Sequence, residues 1–179
     1  MIIESTSIAG LLKIPHSLTH DSRGYFAKLF ESQKWKETNL PTKWDEVFVT
    51  NSKKGVLRGM HYQEPPVDHV KLVTVLEGVV LDVALDIRVG EKTYGGYYAV
   101  EVSGDEPVTI VLPKGLAHGF FVKSNHAIVL YHTTSIHVPQ HDKGIRWDSF
   151  GFSWPEKKPI LSDRDCAHPD FHSFKSPFI

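Results

Sequence analysis

Lys71–Arg88, KLVTVLEGVVLDVALDIR, decides the fold. Two apolar runs rich in Val and Leu flank Glu77-Gly78, which reads as strand, turn, strand. Leu72–Leu76 is the first strand and Val79–Arg88 the second. In the second, Leu81, Val83, Leu85 and Ile87 share one face, and Asp82, Asp86 and Arg88 share the other. Two carboxylates on one strand face stand either in solvent or along a polar cavity.

Outward from this hairpin the same pattern repeats. Tyr97–Val102, Val108–Leu112, Gly119–Val122 and Ala127–Thr133 read as strands, separated by Gly, Asp, Pro, Asn and Lys. Towards the N-terminus, Ile2–Pro15 reads as a strand pair broken at Gly10, Ser17–Gly24 as turn-rich, and Tyr25–Phe30 as an alternating strand. Glu31–Leu40 reads as a short helix capped by Ser32 and stopped by Pro41. Glu46–Thr50 is a strand and Asn51–Gly55 a loop. After Pro139 the chain turns rich in Pro, Asp, His and Phe, as a C-terminal extension with little helix would. Many short strands with almost no helical period predict an all-β sandwich or barrel.

The chain has 179 residues, a net charge of -1 and one cysteine. One domain over residues 1–179 is expected, with a sizeable core. The balanced charge argues against a nucleic-acid partner. Cys166 has no partner for an internal disulfide, as suits a reducing compartment, and is read as structural. No charged start with a long apolar run suggests a signal peptide, and no run approaches the roughly 20 residues of a membrane span. A soluble, cytoplasmic protein with no membrane partner is the expectation.

Gly55–Lys71, GVLRGMHYQEPPVDHVK, gathers the chemistry. Arg58 can hold an anion, His61 can move a proton, and Lys71 places a charge at the start of a strand. On residues alone two readings stay open. One is a hairpin with scattered polar side chains. The other is the base and anion-holding groups of an enzyme acting on a negatively charged substrate.

Pro113-Lys114-Gly115-Leu116-Ala117-His118 fits P-x-G-x-x-H, the second motif of cupin barrels. The first motif of metal-binding cupins needs H-x-H, and here it reads His61-Tyr62-Gln63. With half of the histidine pair replaced by glutamine, a barrel without a functional metal is expected. DSRGYF, GVLRGMHYQEPP, VKLVTV, LDVALDIR, PKGLAHGFFV, VLYHTT, GIRWD and ILSDRD occur in this order. In these motifs, nearly end to end, the chain resembles the dTDP-4-dehydrorhamnose 3,5-epimerase family.

That resemblance implies a homodimer of cupin jelly-roll barrels, acting on a nucleotide-linked 4-keto-6-deoxyhexose without metal or redox cofactor. The 4-keto group acidifies the hydrogens at C3 and C5. A base removes one, and a proton returned to the opposite face inverts the centre. His61 matches the base and Asp165 its carboxylate partner, with Asp163 nearby as the other candidate. Lys71 matches the cation at the enolate oxygen, and Tyr131 the proton donor. His118 is placed near the sugar, and Asp82 is placed to hold or neutralise the lysine. Arg58 and Arg23 match pyrophosphate-gripping arginines, with Arg23 reaching into the other subunit. Phe26 matches a ring on the nucleobase, and Arg164 is a further phosphate candidate.

Departures gather at the nucleotide end. Lys28 stands where a glutamate is usual, and His137 where a stacking tyrosine is usual. The usual Gln-x-Asn reads Glu46-Val47-Phe48. Cytosine N3 accepts a hydrogen bond where thymine N3 donates one, so Lys28 keeps a CDP-linked sugar open beside dTDP, and GDP behind it. Inversion at C3, at C5 or at both also stays open. So do a metal-dependent cupin enzyme and a non-catalytic binding barrel.

Overall fold

The computed structural model describes residues 2–179. Thirteen strands form two large sheets and one hairpin. The six-stranded sheet runs β1 (Glu4–Ser5), β2 (Leu12–Pro15), β10 (Val108–Leu112), β7 (Lys71–Glu77), β12 (His126–Thr133), β5 (Glu46–Lys53). The five-stranded sheet runs β13 (Asp142–Gly144), β6 (Leu57–Gln63), β11 (Leu116–Val122), β8 (Val79–Asp86), β9 (Tyr97–Ser103). β3 (Leu18–Asp21) and β4 (Gly24–Ala27) pair only with each other. This is the expected all-β jelly-roll barrel, with two short helices, α1 (Ser32–Lys36) and α2 (Asp163–Cys166). Among the described residues no helix is long and apolar enough to cross a membrane.

The lumen between the sheets is packed by Val73, Val75, Val80, Ala84, Ile110, Phe120 and Val129. Both outer faces are covered as well. α1 lays Trp35 over Ile14, Leu72 and Val111. The C-terminal extension lays Phe150, Trp154, Phe171, Phe174 and Phe178 over Val83, Leu85 and Ile87. The apolar face of the Val79–Asp86 strand therefore points out, under the extension. Its carboxylate face points in, so Asp82 is 2% exposed. Asp86, also buried, lies at the strand end and is held by Arg88 and Thr93.

Several local expectations are corrected. Ser17–Gly24 contains β3, and Asn51–Lys53 continues β5. The alternating strand at Tyr25–Phe30 ends at Ala27. Ser32 is the first helical residue rather than the cap; Glu31 holds the cap position with no side-chain hydrogen bond. Cys166 is exposed at the end of α2.

Candidate active site

Strand period sets most of the site. Lys71 lies in phase with Val73 and Val75, and Tyr131 with Val129, so both point into the barrel. The arginine and histidine of LRGMH do not follow that rule. Residues three apart should face opposite ways, yet Arg58 and His61 line the same cavity. An irregularity between β6 and β11 shifts the phase. Gly59 has φ +143, and a Cβ there would lie 2.6 Å from the Gly119 Cα. Only glycine at both positions lets these backbones close, and His61 then sits directly opposite His118.

The cavity, about 680 Å³, is lined by Glu46, Phe48, Arg58, His61, Lys71, His118, Tyr131, His137, Asp142 and Arg164, among others. His61 Nε2 and Asp165 Oδ1 are 2.8 Å apart. Asp165 comes from a distant helix, and α2 aims it. Ser162 caps α2 by accepting from the Asp165 N–H at 3.1 Å. The buried carboxylate also accepts from the Gly59 N–H at 3.2 Å. Burial alone would raise the Asp165 carboxyl, but the His61 hydrogen bond and charge outweigh it and hold it at about 2. Asp165, not Asp163, is thus the carboxylate beside His61.

Burial pushes Lys71 down to about 8, with Asp142 and Asp82 pulling it back up and Arg164 adding to the drop. Burial also raises the Tyr131 phenol, and the Asp82 charge adds to it. Tyr131 therefore keeps its proton through neutral pH. Phe48, its cross-strand neighbour on β5, stacks on it at 4.8 Å between centroids and 12° between planes. Asp82 bonds His118 Nε2 at 2.8 Å and acts on Lys71 through its charge, the neutralising one of the two roles expected for it.

Several other polar groups are tied in place. Arg58 Nε donates to Ser52 Oγ at 2.9 Å. Arg164 and His137 both meet Asp142, at 2.7 and 2.9 Å. Gln63, at the cupin histidine position, donates to the Val67 and Ile136 carbonyls and accepts from the Val138 N–H. These bonds commit its amide to the loops, although the residue also borders the cavity. Arg23, Phe26 and Lys28 do not line this cavity. Arg23 pairs with Asp21, Lys28 with Glu31, and Phe26 is 62% exposed on the β3–β4 hairpin. The sequence reading missed Phe48 as a partner of Tyr131, Asp142 as the anchor of Arg164, and His168 beside the dyad. The Ser162-x-x-Asp165 cap was a usable signal for α2.

Comparison with known proteins extends this picture over the whole chain. The family profile described as dTDP-4-dehydrorhamnose 3,5-epimerase matches residues 5–173. The dTDP-4-dehydrorhamnose 3,5-epimerase of Shigella flexneri is 37% identical over 175 residues, covering 96% of each chain. The Legionella pneumophila 3,5-epimerase, solved with dTDP-4-keto-L-rhamnose, superposes with a TM-score of 0.92 at 34% identity, over 97% of this chain and 94% of that one. A 3'-monoepimerase from Streptomyces bikiniensis, solved with dTDP-quinovose, gives 0.88 at 27% identity, over 93% and 86%. With sequence match, fold and cavity in agreement, the chain belongs to the dTDP-4-dehydrorhamnose 3,5-epimerase family.

Proposed function

We propose that this protein, one domain over residues 1–179, inverts C5 and C3 of a dTDP-linked 4-keto-6-deoxyhexose by proton removal and return. The observation that carries the residue roles is convergence. A His–Asp pair from β6 and α2 faces a lysine and a buried tyrosine from β7 and β12 across one cavity, on opposite sheets.

The sugar's 4-keto group sits by Lys71. His61 removes the neighbouring carbon's hydrogen and becomes an imidazolium, which Asp165 stabilises as an ionised carboxylate. Negative charge moves onto the former keto oxygen, where the Lys71 ammonium is already in place. Tyr131 returns a proton to the opposite face, and solvent resets both groups. Arg58 and Arg164 hold the pyrophosphate, and His118, fixed by Asp82, faces the sugar.

Exposed apolar surface supports a homodimer. β5 is an edge strand with Val47 58% and Val49 59% exposed, and the β3–β4 hairpin carries exposed Tyr25 and Phe26. An apolar edge of this kind calls for a partner. A homodimer through β5 would bring Arg23, Phe26 and Lys28 of one protomer towards the other's cavity. Val47→Lys should then shift the chain towards monomer in size-exclusion chromatography with light scattering.

The deciding experiment offers dTDP-, CDP- and GDP-linked 4-keto-6-deoxy sugars and follows solvent deuterium at C3 and C5. Preference for dTDP with label at both carbons supports the proposal. Preference for CDP would move Lys28 to the nucleobase. Label at one carbon only would make this a monoepimerase.

A further inference from the structure

Behind the His61–Asp165 pair lies a third imidazole that catalysis does not use. His168 follows α2 and packs flat against β13, where a Cβ on Gly144 would collide with its ring. Its side chain is only 10% exposed. Its Nε2 is buried and has no hydrogen-bond partner. A buried polar nitrogen without a partner needs a reason. This one lies 3.8 Å from Asp165 Oδ1, and its ring stands edge-on to His61 at 5.5 Å.

We infer that His61, Asp165 and His168 form an inhibitory site for a divalent transition-metal ion such as zinc. One ligand atom from each of the three lies within 4.8 Å of the other two. Two imidazoles and one carboxylate are a common zinc donor set, and zinc bonds of roughly 2.0–2.2 Å put tetrahedral donors about 3.3–3.6 Å apart, so an ion would open the 2.8 Å His61–Asp165 contact and draw His168 closer. A cavity of about 460 Å³ bounded by His168, Gly144 and Tyr62 lies beside the cluster, as an approach for water and the ion. Burial and the neighbouring His61 lower the His168 pKa, which keeps its lone pair free. Arg164 on α2 opposes a cation here, so weaker affinity than that of a structural zinc site is expected. The site shares His61 with the cupin metal position but not its other groups, since Gln63 is engaged with backbone and His118 with Asp82.

The consequence for catalysis is a proton shift. In the active enzyme His61 Nε2 carries the proton that faces Asp165, which leaves Nδ1 empty to accept from carbon. An ion on Nε2 displaces that proton to Nδ1. The imidazole stays neutral overall, but its accepting nitrogen is filled. Silencing by the ion rests on His61 being the base; binding of the ion does not.

The test uses the full-length protein stripped with chelator and then titrated with zinc chloride by calorimetry. Wild type, His168→Asn and His168→Phe are compared, with circular dichroism as the folding control. One ion per chain is expected, and each variant should weaken binding at least about tenfold. In wild type, zinc should stop deuterium exchange over the concentration range in which it binds, reversibly with chelator, and the variants should need at least about tenfold more. In wild-type protein alone, zinc should move the ring-nitrogen NMR signals of His61 and His168. Absence of stoichiometric binding, equal binding by folded variants, or signals moving on other histidines instead would overturn the site. Binding at these signals without loss of exchange would overturn the inhibition and the base assignment together.

Discussion

Lys71 is expected to make activity and stability respond to pH in opposite directions. Burial takes its pKa from 10.5 to about 8. At about 1.4 kcal/mol per pH unit, that drop corresponds to about 3 kcal/mol of penalty on the charged form in the folded state. The sign follows from linkage. Below pH 8 the folded lysine is charged and the full penalty applies. Between pH 8 and 10.5 the folded state releases a proton that the unfolded state still holds, so stability rises with pH. Catalysis needs the ammonium, because a neutral amine stabilises an enolate poorly. kcat/KM should therefore fall above pH 8, to roughly a tenth of its plateau by pH 9. Substrate phosphates bring negative charge into the same cavity, so the kcat limb should lie at higher pH than the kcat/KM limb. Lys71→Met should lower kcat/KM about a hundredfold, abolish the limb and raise the urea midpoint. The assay is solvent deuterium incorporation from pH 6 to 10, corrected for the enzyme-free rate, beside urea denaturation at each pH. A wild-type kcat/KM flat to pH 10, or a limb surviving in Lys71→Met, would refute the reasoning.

Three further outcomes follow from the site. Gly59→Ala should cost about 3 kcal/mol in urea denaturation, because its φ of +143 and the 2.6 Å approach to the Gly119 Cα leave no room for a Cβ. Asp82→Ala should cost about 3 kcal/mol and lower kcat, since His118 Nε2 loses its buried partner; Asp82→Asn should cost less. Phe48→Ala should remove about 1 kcal/mol of ring stacking and lower the Tyr131 pKa towards that of free tyrosine, read from phenolate absorbance on alkaline titration.

The barrel was legible because its strands carry period-two patterns and turn residues at each break. Val108–Leu112 matches its observed limits. The sense of that pattern was not legible in the Val79–Asp86 strand. Its two faces are both covered, one by the opposite sheet and one by the C-terminal extension, so apolar content alone does not say which is the lumen. Lys71 and Tyr131 could be assigned by phase. Arg58 and His61 could not, because the Gly59 irregularity breaks the phase between them. The pairing of His61 with Asp165 came from family resemblance, since no spacing rule joins residues 104 apart. The site's electrostatic detail, such as Asp82 holding His118 rather than Lys71, depends on cross-strand register, which one sequence does not contain.

The central claim is that His61 takes the proton from carbon. Its most direct test is deuterium exchange into dTDP-4-dehydro-6-deoxyglucose in heavy water, followed by proton NMR, for wild type and His61→Asn at equal nucleotide occupancy. The account predicts label at C3 and C5 with wild type, and loss of exchange at both carbons by at least about a hundredfold with His61→Asn while dTDP still binds. Exchange at the wild-type rate in folded His61→Asn would contradict it.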